Sequence, residues 1–263
     1  MKLIFSRPVL LISLFVFIVI NNTYSQDVNT VEKLKNGKEI TYKALVKHDK
    51  DMLLEAHAIY ADLLKTDKAD AEALYGLTFT EYRLLEMSLQ KGNDSLFDEY
   101  YQQAKDNANK LILTDKYLSA GKSLLAGIYM MKIATSPMAA VTLSSEIYGL
   151  LDDAEKADPL NSAAFIVRGE MKYNTPKLFG GSFEEAVKNF NKAISICEQS
   201  SDGDDAYIKW EYLESLAWLG RSYVKLGNYD AAKFAYQKAL NIQPEFGWVK
   251  YVLLPEAEKN AKN

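Results

Sequence analysis

Residues 213–246 read LESLAWLGRSYVKLGNYDAAKFAYQKALNIQPEF and predict two helices separated by a turn. In the first half, apolar residues recur at the i, i+3, i+4, i+7 spacing of an amphipathic helix. A Gly-Asn pair at 227–228 interrupts this pattern. A second apolar stripe then runs until Pro244, which cannot continue a helical hydrogen-bond ladder. Gly220 and Ala232 are small residues among large ones, so the two helices can approach closely.

This spacing resembles the tetratricopeptide repeat. The order of residue types in that repeat is met here by Leu219-Gly220, Tyr223, Ala232, Tyr236, Ala239 and Pro244. A two-helix unit of about 34 residues cannot bury its own apolar face, so several units must stack.

Four upstream segments fit the same frame more loosely, which predicts an all-α solenoid of about five degenerate repeats in a single domain. The units are expected at about 37–70, 69–115, 120–160, 162–199 and 213–246. A C-terminal helix at 248–262 is expected to cap the array, because the ends of a solenoid need a polar cover.

The first 25 residues are expected to be a cleaved export signal. Two positive charges precede an apolar run at residues 9–20 that one serine interrupts. The run is shorter than the roughly 20 residues that a membrane span needs, which favours a cleaved signal over a permanent anchor. We therefore predict cleavage between Ser25 and Gln26 and a mature domain of residues 26–263 in the periplasm or outside the cell.

Composition excludes several classes of function. The chain carries 35 acidic and 31 basic side chains, and this mildly acidic balance does not favour binding to nucleic acid or anionic membranes, which need clustered basic side chains. The single cysteine, Cys197, cannot form an internal disulfide, so packing alone must stabilise the exported chain. It also lies far from the cleavage point, which argues against a lipid anchor there.

The sequence contains no recognisable catalytic motif, metal-binding motif or cofactor-binding motif. His48 and His57 do not have the spacing of metal ligands, and no HExxH or Gly-x-Ser-x-Gly sequence occurs. The acidic loop at 202–205 lacks the spacing of a calcium loop. We predict a protein that is not an enzyme. Catalytic groups can converge in space without a motif, so an enzyme is kept as the third hypothesis.

The resemblance to the repeat family implies which side chains face the inner groove. Seven of them are candidate interaction residues: Leu124, Ile128, Met131, Ile166, Glu170, Tyr173 and Arg221. The middle of this groove is apolar, which suits an amphipathic helix, an extended peptide or a lipid-like small molecule. The same spacing is typical of core residues in a tightly coiled array, and periodicity cannot separate the two interpretations.

Extra residues in the second, third and fourth units lie between the two helices of each unit, and stacking places them along one edge. The third unit carries ATSPMAAVTLS at 134–144, and the fourth carries NTPKLFGG at 174–181. Long loops in a helical array are often functional, so Leu178 and Phe179 are further interaction candidates. They could instead fold back and cover the array. The glycine pair is expected to permit a left-handed turn before Ser182 caps the next helix.

The PKLFGG motif is similar to one seen in small exported bacterial repeat proteins, including the periplasmic partner of certain tripartite solute transporters. Two functions follow. The first is a scaffold that binds a protein or peptide partner. The alternative, implied by the second resemblance, is a carrier of an apolar small molecule linked to a transport system. A closed cavity would favour the carrier, whereas an open groove or an exposed apolar edge would favour the scaffold.

Overall fold

A computed structural model describes residues 29–66, 70–201, 203 and 205–261. Within these ranges the chain is helical and contains no β-strand, as predicted. The predicted signal at 1–25 lies outside the described residues. The helices are α1 over 29–47, α2 Lys50–Thr66, α3 Ala71–Ser88, α4 Ser95–Ile112, α5 Leu118–Thr135, α6 Ala140–Ala157, α7 Ser162–Asn174, α8 Phe183–Gln199, α9 Ala206–Lys225, α10 Tyr229–Ile242 and α11 Leu254–Asn260.

The helices stack in sequence order as antiparallel pairs, with α3 on α4, α5 on α6, α7 on α8 and α9 on α10. The first member of each pair also contacts the first member of the next, so α3, α5, α7 and α9 form an inner layer. Between Ala73 and Ser88, nearly every residue of α3 is buried, whereas α6 in the outer layer buries only Ile147, Leu151 and Ala154. Burial on all sides explains why the inner helices are apolar around most of their circumference. The predicted all-α solenoid is confirmed.

The connections between paired helices contain short 3₁₀ helices at Pro137–Ala139 and Lys177–Phe179. The first connection is shorter than the predicted insert at 134–144, because α5 runs to Thr135 and α6 begins at Ala140. The alanines and leucine of the insert are good helix formers, so most of it joins the flanking helices.

The glycine pair of the fourth unit makes the turn that the sequence predicts. Gly180 adopts a left-handed conformation with φ of 90°, which carries little cost for a residue without a side chain. Ser182 then begins α8 by accepting a hydrogen bond from the Glu185 amide at 3.2 Å. The predicted left-handed turn and helix cap are both confirmed.

The array coils so tightly that its first and last units touch. The hydroxyl groups of Tyr60 and Tyr207 lie 2.8 Å apart, and the Gln243 amide donates to the Tyr42 hydroxyl at 3.1 Å. The Tyr207 ring also packs edge-on against Phe79, with ring centroids 4.9 Å apart. These side-chain contacts bridge the two ends of the array, so the concave side forms a cavity.

The chain after α10 turns back over the last unit. Phe246 is buried and packs against the Trp210 ring, with centroids 5.6 Å apart. A π-helical turn at Val249–Leu253 follows and leads into α11, which packs on α10. The segment expected to cap the array thus comprises two short helical pieces.

Close helix approach depends on glycine in the inner layer. A Cβ atom added at Gly220 of α9 would lie 2.2 Å from the Tyr236 ring of α10, and one added at Gly169 would lie 2.6 Å from the Phe190 ring. Both rings are fully buried and have little room to move. The sequence pattern of glycine opposite an aromatic residue therefore sets the distance between paired helices.

Gly220→Ala is expected to lower the free energy of unfolding by about 1–3 kcal/mol, because the clash with Tyr236 outweighs the better helix propensity of alanine. Gly149 of α6 is the matched control, since it is exposed and a Cβ there meets nothing within 4 Å. Gly149→Ala should raise stability by roughly 0.5–1 kcal/mol. Urea denaturation measures both, and equal effects at the two positions would contradict the packing argument.

Candidate functional site

The concave side of the array encloses a cavity with a volume of about 1530 Å³. Its wall is formed by α3, α5, α6, α7 and α9, by the turn after α1, and by the segment that follows α10. Both ends of the array therefore contribute to the same cavity. A cavity of this kind, with apolar walls and a few polar groups, is the usual form of a binding site.

Flexible and aromatic side chains dominate the wall. Four methionines from three inner helices face the cavity: Met87, Met130, Met131 and Met171. Their unbranched thioether chains can adapt to ligands of different shape. All three tryptophans of the chain, Trp210, Trp218 and Trp248, also line it. The wall thus combines adaptable contacts with large aromatic surfaces that are suited to apolar or cationic groups.

A charged cluster lies on the cavity wall and consists of Arg83, Glu86, Glu170 and Glu214. Arg83 of α3 donates two parallel hydrogen bonds to the Glu214 carboxylate of α9, at 2.5 and 2.7 Å. It donates a third to Glu86 at 2.8 Å. The bidentate geometry is the strongest arrangement of a guanidinium with a carboxylate. Burial and the adjacent carboxylates of Glu214 and Glu86 act in opposite directions on Arg83, and its pKa lies well above the usual range.

Within the charged cluster, Glu170 of α7 has a carboxylate oxygen without a hydrogen-bond partner. Its side chain is about 2% exposed, and its Oε1 atom accepts no hydrogen bond. Burial raises the pKa of Glu170 well above its usual value, and the neighbouring carboxylates of Glu214 and Glu86 raise it further. Oxygen atoms of Glu86, Glu170 and Glu214 all lie within 4.8 Å of one another, close enough to share one cation.

The rim of the cavity is apolar and exposed. Val141 is 80% exposed, Phe179 74% and Tyr251 69%, and each of them also lines the cavity. We call these three residues with Val252 the apolar rim. Two of its members, Val141 and Phe179, belong to the inserts at 134–144 and 174–181. The exposed apolar surface is therefore continuous with the interior of the cavity.

The structure divides the nine residues that the sequence singled out into four groups. Met131, Glu170 and Phe179 line the cavity. Leu124, Ile128 and Ile166 are buried in the core and do not line it. Tyr173 and Arg221 lie beside the wall, where the Arg221 guanidinium stacks 4.2 Å from the Trp218 ring and 4.8 Å from the Tyr173 ring. Leu178 is 88% exposed and lies outside the cavity.

Arg83, Glu86 and Glu214 are not among the interaction residues that the sequence predicts. A signal for them exists in α3, where Glu81, Arg83 and Glu86 interrupt an otherwise apolar helix. Charges on a helix that is apolar around its whole circumference must be paired inside the protein. The partner on α9 is more than one hundred residues away, so the pairing itself could not be read from the sequence.

Another buried carboxyl, Glu211, lies outside this cavity. It lies about one helical turn before Glu214 on α9 and lines a smaller cavity of about 380 Å³. The Ser162 hydroxyl donates a short hydrogen bond to it. Burial raises the pKa of Glu211 to about 7. The nearby Cys197 thiol has a pKa raised to about 12, mainly by burial, so it stays protonated and is a poor nucleophile at neutral pH.

Comparison with known proteins agrees with this architecture. Residues 213–246 match the tetratricopeptide repeat family model. The crystal structure of TTC0263, a thermophilic tetratricopeptide-repeat protein of Thermus thermophilus, superposes with a TM-score of 0.58 at 19% identity, covering 88% of this chain and all of the other. The fold is therefore a tetratricopeptide-type solenoid, as the sequence predicts.

Two further structures align less closely. YrrB, described as a tetratricopeptide-repeat protein with an unusual peptide-binding site, gives a TM-score of 0.38 at 20% identity, covering 80% of this chain and 84% of its own. MamA gives 0.37 at 20% identity, covering 84% of this chain and 97% of its own. The curated proteins contain no match.

The fold defines a class of protein. The chain is a helical-repeat solenoid, an architecture with an extended concave surface. In the described part of the chain, no helix is both long and apolar enough to cross a membrane.

Arg83→Met is expected to destabilise the protein by about 3–5 kcal/mol, because Glu214 would remain buried without its cation. Arg168 offers a control, since it pairs with Asp152 and Glu155, whose carboxylates are about half exposed. Arg168→Met should cost no more than about 1 kcal/mol. Both values come from urea denaturation at neutral pH, and a small loss for Arg83→Met would show that the pair contributes little.

Glu211→Gln is expected to change how stability depends on pH. A carboxyl whose pKa is higher in the folded state binds more protons when folded, so it stabilises most below its unfolded pKa, and this contribution is lost as pH rises toward the folded value. For Glu211 that window runs from the ordinary 4.5 to about 7. Across this window the free energy of unfolding should fall by less in the variant than in the wild type. The difference between the two proteins should be at most about 3 kcal/mol. Thermal unfolding at pH 5, 6, 7 and 8 tests this, and parallel curves for the two proteins would contradict it.

Proposed function

We propose that the protein is a non-enzymatic interaction protein that receives an apolar segment of a partner protein in its central cavity. The observation that carries this proposal is the continuity between the apolar rim and the cavity interior. An exposed apolar patch on a soluble protein marks an interaction site, and here it leads directly into a preformed cavity. Little backbone movement is needed for binding when the site already exists.

The size of the cavity supports a peptide-like occupant. Its volume of about 1530 Å³ exceeds the roughly 300–1,000 Å³ that is usual for small-molecule sites. An α-helix with its side chains is about 10–12 Å across, so one face of a helix could enter through the rim. The methionine-lined wall suits such a partner, because methionine repacks around different apolar side chains.

We also propose that the protein works in an exported compartment, either the periplasm or the cell exterior. The support is the arrangement of residues 1–25, in which a positive start precedes a short apolar run and a polar end. The groups around the cavity support a binding role without catalysis. The Cys197 thiol stays protonated and lies outside the cavity wall, while Arg83 is bonded to two carboxylates.

A second candidate function is the carriage of an apolar small molecule linked to a transport system. The observation that favours it is the closure of the cavity by both ends of the array, through His48 after α1 and Trp248 after α10. Enclosure on several sides is typical of sites that bury most of a small ligand.

A photo-crosslinking amino acid at position 179 tests the proposal in the cell that makes the protein. We expect a crosslink from this rim position to a discrete protein. Phe234 is the matched control, because it is 70% exposed on α10 but does not line the cavity. The same crosslinker at position 234 should give no such product.

The two candidate functions give different outcomes. Equal crosslinking from positions 179 and 234, or none from either, would count against a protein partner at the rim. Native mass spectrometry of the gently purified protein completes the test. A retained adduct of a few hundred daltons, without a protein crosslink from position 179, would favour the carrier.

A further inference from the structure

Carboxylates from three inner helices converge on one point of the cavity wall. Glu86 comes from α3, Glu170 from α7 and Glu214 from α9, and oxygen atoms of all three lie within 4.8 Å of one another. Arg83 binds Glu214 and Glu86 directly. No hydrogen bond reaches the Glu170 Oε1 atom, although the side chain is almost completely buried and lines the cavity.

The charges around Glu170 do not balance when every carboxyl is ionised. From α3 it faces Tyr82, Arg83 and Glu86, and from α9 it faces Glu214 and Arg221. Arg83 is already shared by two carboxylates, and Arg221 is held among the rings of Tyr173, Trp218 and Trp248. A buried carboxylate without a partner is strongly disfavoured. The cluster therefore needs one more positive charge or one bound proton.

We propose that Glu170, beside Glu86 and Glu214, binds the primary ammonium group of a lysine side chain on the apolar partner segment. This inference rests on the proposed function, since it assigns a polar anchor to the occupant of the same cavity. The aliphatic stem of lysine would lie against the methionines, while the ammonium group reaches the unpartnered oxygen.

The geometry selects an ammonium group over other cations. A guanidinium needs a planar pair of acceptors, and Arg83 already holds that position on Glu214. A metal ion at the three carboxylates would compete with the hydrogen bonds of Arg83 to Glu86 and Glu214. An ammonium group is a compact charge with three donors, which matches a single unpaired oxygen with other carboxylates nearby. The tryptophan rings on the same wall add a favourable surface for a cation.

Without a bound amine, a proton on the Glu170 carboxyl supplies this charge. Burial, together with Glu214 and Glu86, raises the pKa of Glu170, and the opposing effect of Arg83 and Arg221 does not cancel this. An incoming ammonium group replaces the proton, which leaves for solvent. Binding of the amine should therefore strengthen as pH rises, until the amine itself loses its charge near pH ~10.

The test uses three eight-carbon probes that differ only in the polar end: n-octylamine, 1-octanol and octanoate. Isothermal titration calorimetry at pH 8 gives their affinities, and buffers with different ionisation enthalpies give the number of protons released. Wild-type protein should bind the amine at least about 10-fold more tightly than the alcohol, and octanoate most weakly. Binding of the amine should release protons from the protein, and binding of the alcohol should release none.

Glu170→Gln keeps the size of the side chain and removes its charge. This variant should bind the amine and the alcohol about equally and should release no proton, with its affinity for the alcohol unchanged. Glu245→Gln is the matched control, because Glu245 also lines the cavity but pairs with Lys250 outside the charged cluster. It should behave as the wild type does.

The outcomes separate this inference from the proposed function. If wild-type protein binds the amine and the alcohol equally, or if Glu170→Gln keeps the preference for the amine, the ammonium site is wrong although the cavity still binds apolar chains. If no probe binds at any concentration below its solubility limit, the apolar cavity is not a binding site, and both proposals fail. Unchanged binding of 1-octanol by Glu170→Gln shows that the variant is folded.

Discussion

The bidentate contact between Arg83 and Glu214 is the interaction on which the shape of the molecule depends. It joins α3 of the second unit to α9 of the last, across the interior of the array. Two charges buried in this way are expensive to remove from water, and they are tolerated only when their geometry is close to ideal. The Tyr207 ring also packs against the Tyr75 and Phe79 rings in the same region of α3 and α9. Together these contacts join the two ends of the array around a cavity that stays open at the apolar rim.

Within this arrangement, burial is energetically least favourable for Glu170. Its carboxyl lies among acidic neighbours in a site built around Arg83, and it has no partner of its own for Oε1. An apolar side chain at position 170 would avoid the cost of burying a carboxyl with an unpartnered oxygen. A carboxyl oxygen without a hydrogen-bond partner in an otherwise apolar wall can fix the orientation of a ligand, because it binds the polar end of the ligand and not the apolar end. The same wall carries methionines that discriminate little between apolar shapes.

The sequence predicts the architecture because each repeat is a local pattern. Gly220 and Tyr236 lie in one unit, and their spacing reveals how the two helices pack. The cap at Ser182 and the left-handed turn at Gly180 are equally local. The site was harder to predict, because it depends on the curvature of the array. Leu124 and Ile128 have the same periodicity as Met131, yet only Met131 reaches the cavity, and only the angle between successive units decides which residue does so.

Contact between the first and last units changes how the array should fold. In an open solenoid each repeat touches only its neighbours, so stability is a sum of local terms and the ends can fray independently. Here Tyr60 meets Tyr207, and Tyr42 meets Gln243, at sequence separations of 147 and 201 residues. Such contacts raise the contact order, which slows folding because long loops must close before they form. They also make the units interdependent, so deletion of a terminal unit would open the ring instead of shortening a rod.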